Sequence, residues 1–111
     1  MILFIDGIKT VAAAATPEAL SATSVKVATV VIQALGGDNA NTGKNTGKIA
    51  IGADASVDFV QGLTLGIPTA GGTAPSLTLA SEKGVNDIDL AKIYIKAGVD
   101  GEGVSWFAEQ W

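Results

Sequence analysis

Apolar residues in this chain recur at every second position, in short runs separated by turn residues. A period of two sends alternate side chains to opposite faces of a strand, so it specifies half-buried β-structure rather than helix. Lys92–Ala97 carries the pattern most cleanly: Ile93, Ile95 and Ala97 face one way, and Lys92, Tyr94 and Lys96 face the other. Ile49 with Ile51, Val57 with Phe59, Leu63 with Leu65, Leu77 with Leu79, and Val104 with Trp106 and Ala108 repeat it. Fourteen Gly against three Pro suit many tight turns. The expected fold is all-β: a single domain over residues 1–111, a β-sandwich or jelly-roll-like barrel of about eight short strands.

Ser24–Leu35 is the longest extended candidate. Val25 and Val27 share one face in its first half. Val30, Ile32 and Ala34 share a face in its second half, so the apolar phase flips near Ala28-Thr29. A one-residue phase shift needs a bulge or a change of sheet, unless the strand is buried on both faces. Residues 1–20 read as an N-terminal arm or hairpin, with a strand over Ile2–Ile5 and a turn at Asp6-Gly7, and residues 21–111 as the sandwich body. Thr16-Pro17 fits either the start of a one-turn helix or a Pro-bearing loop. Asp6-Gly7 interrupts the apolar start and no cation precedes it, features wrong for a secretory signal.

The side-chain inventory excludes several chemistries. The chain has no His, no Cys and no Arg; its seven cations are all Lys against eleven carboxylates, for a net charge of −4. Ser-His-Asp and Cys-His nucleophiles, His/Cys metal sites and disulfides are thereby ruled out. An acidic chain without Arg is also poorly suited to nucleic acid. No apolar run approaches the ~20 residues of a membrane span. Charged residues are 16% of the chain, against ~25% in typical soluble domains. So few charges on a small domain point to a subunit packed against copies of itself or a partner.

Gly36–Gly47 holds no apolar residue larger than Ala and reads as a long exposed loop, with Asn41, Lys44 and Asn45 as its presented side chains. Asn-Thr-Gly-Lys occurs there twice in tandem, at Asn41–Lys44 and Asn45–Lys48. It is no phosphate loop: five residues separate Gly37 from Gly43 where four are needed, and no hydroxyl follows either Lys. Asp38–Gly43 lacks the third oxygen ligand of a calcium loop, because Ala40 stands there. The close carboxylate pairs Asp54/Asp58, Asp87/Asp89 and Asp100/Glu102 read as turn and capping residues. No catalytic, cofactor-binding or metal-binding residues are expected, and the chain is expected not to be an enzyme.

Three of the six aromatics, Trp106, Phe107 and Trp111, fall in the last six residues. Trp106 shares the inward phase of Val104 and Ala108 and is expected in the core. Phe107 then points to the opposite face. Phe107 and Trp111 either form an interface or cover the edge of their own core.

The order of short motifs resembles small β-sandwich virion proteins of tailed bacteriophages. Val31-Ile32-Gln33-Ala34 is followed by an Asn-Thr-Gly loop and Lys48-Ile49-Ala50-Ile51-Gly52. Gly62-Leu63-Thr64-Leu65, Asp89-Leu90-Ala91-Lys92-Ile93-Tyr94-Ile95 and Asp100-Gly101-Glu102-Gly103-Val104-Ser105 come next. The likeness covers residues 20–106, and the duplicated Asn-Thr-Gly-Lys departs from it by lengthening one loop. It implies a turn at Asn45, Thr46 and Gly47, and a turn plus core strand at Asp89, Leu90, Ile93 and Tyr94. It further implies a capsid decoration (cement) protein, assembled in a bacterial host cytoplasm and resident in the virion. Such a protein would be a homo-oligomer, a trimer by preference, bound to the major capsid protein or another virion protein. The alternative is a carbohydrate- or surface-binding β-module of a phage fibre, a tail or a secreted protein.

Overall fold

The computed structural model describes residues 2–36, 44–60, 62–68, 74–82 and 84–111. Among these lie ten strands and one 3₁₀ turn, over Leu90–Lys92. The strands are β1 (Leu3–Thr10), β2 (Glu18–Ala19), β3 (Lys26–Val27), β4 (Thr29–Ala34), β5 (Ile49–Gly52), β6 (Leu63–Leu65), β7 (Ser76–Ala80), β8 (Ile88–Asp89), β9 (Tyr94–Ala97) and β10 (Gly103–Gln110). They form a first sheet in the order β1-β10-β4-β7, a second in the order β2-β9-β5-β6, and a two-stranded ribbon β3-β8. Every pairing is antiparallel. The fold is all-β and of sandwich type. Among the described residues no helix is long and apolar enough to cross a membrane.

The core follows the alternation. Val30, Ile32 and Ala34 of β4 and Val104 and Ala108 of β10 are buried beside Ile49, Ile51, Ile95 and Ala97 of the second sheet, with Leu90 and Ile93 from the turn. The phase flip predicted at Ala28-Thr29 is present. β3 pairs with β8 while β4 pairs with β10 and β7. Ala28 N–H donates to the carbonyl of Glu109, the residue that the register sets opposite Thr29. Two residues therefore oppose one, which is a β-bulge, and it moves the chain from the ribbon into the first sheet.

The N-terminal segment departs from expectation. The described part, residues 2–20, forms neither an arm nor a hairpin: β1 is an edge strand of the first sheet and β2 an edge strand of the second. No turn breaks the chain at Asp6-Gly7; the strand runs unbroken from Leu3 to Thr10. Gly7 serves close approach instead of reversal. It pairs with Trp106, and a Cβ placed on it would lie 2.7 Å from Cζ2 of that indole. Thr16-Pro17 lies in a bend ahead of β2, without a helix. Val57 and Phe59 belong to no strand. Val57 is buried, and Phe59 is exposed in the β5–β6 connection, where the Asp54 carboxylate accepts from the N–H and Oγ of Ser56.

A second correction concerns the loop. Asn45 is not a presented side chain but fully buried. Its Nδ2 donates to the Gly103 carbonyl at 2.8 Å, its Oδ1 accepts from Gly103 N–H at 3.2 Å, and its own N–H donates to the Leu35 carbonyl. Lys44 is half-buried, with Nζ donating to the Pro68 carbonyl. Asn41 lies outside the described residues.

Candidate functional site: the outer face of the first sheet

In the first sheet, the residues that alternate with the core set form an outward face. On β1 these are Phe4, Asp6, Ile8 and Thr10. On β10 they are Ser105, Phe107 and Glu109, and on β4 they are Thr29, Val31 and Gln33. Asp6 stands opposite Phe107, so Phe4 is the diagonal neighbour of Phe107. Their rings stack with centroids 5.5 Å apart and planes inclined by 24°. Both remain more than half exposed, and Ile8 is 71% exposed. Beside the rings, Asp6, Ile8, Gln33, Ser105 and Phe107 line an open depression of about 600 Å³. The face is graded in polarity. Its β1 side carries the large apolar residues Phe4 and Ile8, alternating with Asp6 and Thr10, whereas β7 presents only the small Ser76, Thr78 and Ala80 at the far edge.

Large apolar side chains standing together in water mark a contact surface more often than an accident of composition. Phe107, expected on the face opposite Trp106, is there. Trp106 itself is only half-buried, so it is not the enclosed core residue expected from its phase. Its strand lies next to the sheet edge, and over Gly7 there is no side chain on β1 to close the indole in. Trp111 is exposed, but its backbone is held. Its N–H donates to Asn86 Oδ1 at 2.9 Å and its carbonyl accepts from Asn86 Nδ2 at 2.7 Å. The structure does not bring Lys44 or Asn45 to the Phe4–Phe107 face. Phe4 and Ile8, which sequence reasoning placed in an N-terminal arm or hairpin, are the members of the face that it missed. The signal was present as alternation through Gly7, masked by the turn-like Asp-Gly pair.

The acidic residues behave as caps. Glu102 accepts from Thr46 N–H, Thr46 Oγ1 and Gly47 N–H. Asp100 accepts from Ala14 N–H, and Asp58 from Val60 N–H. Asp89 caps the 3₁₀ turn through Ala91 N–H and accepts from Ser24 Oγ; these two bonds, the hydroxyl first, hold its carboxyl below the ordinary value. Glu18 is lowered chiefly by Ala12 N–H and next by Lys9, 3.0 Å away. Among the described residues no three carboxylates gather where they could hold a metal ion. No protein-family model matches the sequence, and no curated protein or solved structure matches it.

Proposed function

We propose that this protein is a non-catalytic structural subunit that binds another protein surface through the outer face of its first sheet. The observation that carries the reading is the exposed stack of Phe4 on Phe107 with Ile8 beside it, on a rigid sheet. Aromatic anchors on a fixed scaffold give area and shape at small entropic cost. The resemblance to small β-sandwich virion proteins supplies the assembly: the shell of a tailed bacteriophage, with the chain as a decoration protein. A chain without His, Cys or Arg fits a role carried by contacts.

The test is protein mass spectrometry of phage particles purified from the source culture. The chain should be recovered at a copy number comparable to that of the shell protein. Phe107→Asp should abolish incorporation while leaving the circular dichroism of the free protein unchanged. Particles that lack the chain would remove this reading.

One observation favours a second reading, a carbohydrate-binding module. Two stacked rings beside Asp6, Gln33 and Ser105 make a platform with polar flanks of the kind a sugar ring uses. Titration with soluble oligosaccharides separates the two. Saturable binding that is lost in Phe107→Ala supports the module.

A further inference from the structure

The free edge of β1 is the least protected feature of the fold. Val11 N–H donates to the Glu102 carbonyl, continuing the β1–β10 ladder one residue past Thr10. Backbone groups alternate sides along a strand. Leu3, Ile5, Gly7 and Lys9 therefore bond to β10, and the N–H and C=O groups of Phe4, Asp6, Ile8 and Thr10 point away from the sheet. Among the described residues no strand pairs with that side of β1.

Edge strands are usually blunted by shortness, charge or proline. In the two four-stranded sheets the other edge strands are shorter: β2 has two residues, β6 has three, and β7 has five, with Pro75 directly before it and polar Ser76 and Thr78 on its outward face. β1 has eight residues, and on its outward face only Asp6 interrupts Phe4 and Ile8.

We infer that two copies of this chain pair antiparallel along β1, about a two-fold axis beside Gly7, into one continuous eight-stranded sheet. A two-fold contact sets a surface against itself, and an antiparallel strand can always do so. The register follows from the direction of the backbone groups and from charge. Outward-pointing residues must meet outward-pointing residues. Asp6 opposite Ile8 of the second copy, with Phe4 opposite Thr10 of the second copy, uses all four on each strand and forms about eight backbone hydrogen bonds. Sliding by two residues one way sets Asp6 directly against Asp6, and like charges directly opposite are unfavourable. Sliding the other way sets Phe4 beyond the end of the partner strand. In the chosen register the two Phe4–Phe107 stacks and both Ile8 side chains join a single face. The trimer implied by the sequence resemblance would instead need the β1 edge to meet a different surface on its neighbour.

Hydrogen exchange on the unaltered protein, read at dilute and concentrated conditions beside sedimentation velocity, tests the pairing. The concentrated species should be a dimer. The amides of Asp6 and Ile8 should exchange at least tenfold more slowly in it than in the dilute protein. Those of Ile5 and Gly7, already bonded to β10, should not change. Ile8→Pro removes one outward N–H and no bond to β10, a place where a strand tolerates proline, and should give a monomer. A monomer or trimer at tens of micromolar overturns the pairing, as does a dimer whose Asp6 and Ile8 amides exchange freely or one that persists in Ile8→Pro. If Ile8→Pro fails to fold, the exchange pattern of the unaltered protein decides. The pairing and the shell-binding role fail separately. A dimer absent from particles removes only the role, and a monomer present in them removes only the pairing.

Discussion

The side-chain amide of Asn45 bonds both backbone polar groups of Gly103, donating at 2.8 Å and accepting at 3.2 Å. It acts as a one-residue strand at the start of β10, supplying the partner of the Gly103 N–H and sharing the Gly103 carbonyl with the Leu35 N–H. Gly103 must be glycine for this, because a Cβ there would collide with the Lys9 carbonyl and lie 2.7 Å from Thr10 Cα. Replacing Asn45 with Ala leaves the Gly103 N–H without its partner in a buried place. An orphaned buried donor costs about 1–3 kcal/mol. Chemical denaturation of Asn45→Ala should show a loss in that range, and Thr46→Ala, which removes one exposed bond to Glu102, a smaller one.

Deleting one tandem Asn-Thr-Gly-Lys copy should by contrast be tolerated. Removal of either copy yields the same sequence, and the surviving Asn keeps its spacing to Ile49. Asn45 N–H bonds to the Leu35 carbonyl, so the chain leaves and returns at one point. Halving such a loop changes closure by only about 0.6 kcal/mol. The melting temperature should stay within a few degrees; a collapse would mean that the loop length itself is fixed by packing.

Among the described residues, three hydrogen-bonded carboxylates contribute to the pH response. Glu18, Asp54 and Asp89 lie below their ordinary values of 4.5, 3.8 and 3.8, because hydrogen bonds favour the charged forms. A lowered folded pKa adds stability above the unfolded value and loses it as pH falls through the folded one. With no His, no side chain in the sequence has an unperturbed pKa between about 5 and 8. The melting temperature should be flat from about pH 5 to 8 and should decline below about pH 4.5, the Glu18 contribution going first. A transition inside the flat window would contradict this assignment.

Much of the fold was legible from the sequence because burial follows period two wherever a strand has one wet face. The bulge at Ala28-Thr29 was readable for the same reason, since a phase flip cannot be absorbed within a straight strand. Two features were not legible. Asp6-Gly7 carries a turn signature, but the reason for Gly7 is an indole from β10, more than ninety positions away in sequence. Asn45 sits in a stretch with no apolar residue, so alternation gives it no inward phase. Its burial depends on hydrogen bonds to a distant glycine. Half of the outer face was lost with the first error, because Phe4 and Ile8 join Phe107 only once β1 is continuous.

The Gly7–Trp106 contact gives a double-mutant test. Gly7→Val would normally suit a strand, yet its branches would enter the space of the indole. Gly7→Val alone should destabilise. Trp106→Ala alone should cost less than the roughly 3–5 kcal/mol of an enclosed Trp, because it is half-buried. In the pair, the clash disappears, and the double variant should be more stable than the sum of the single losses predicts, by about 0.5–3 kcal/mol. Strict additivity would show that the close approach is not what requires glycine at position 7.

Trp111 separates the holding of the backbone from the use of the side chain. Asn86 bonds both its N–H and its carbonyl, at 2.9 and 2.7 Å, while the residue stays 58% exposed. The clamp does not involve the ring. Trp111→Ala should therefore leave the stability of the subunit within about 0.5 kcal/mol, as expected for an exposed site. Asn86→Ala removes both bonds and should speed hydrogen exchange at the end of β10 without altering its centre. An exposed indole on a fixed backbone is pre-organised for contact, since part of the ordering cost of binding is already met. If that contact is used, Trp111→Ala should weaken incorporation into particles or self-association by a measurable factor, and Trp111→Phe should recover part of it. A Trp111→Ala protein as unstable as Trp106→Ala would instead assign the ring to the subunit's own packing, and one that assembles normally would leave the β1 edge and the Phe4–Phe107 face as the surfaces that matter.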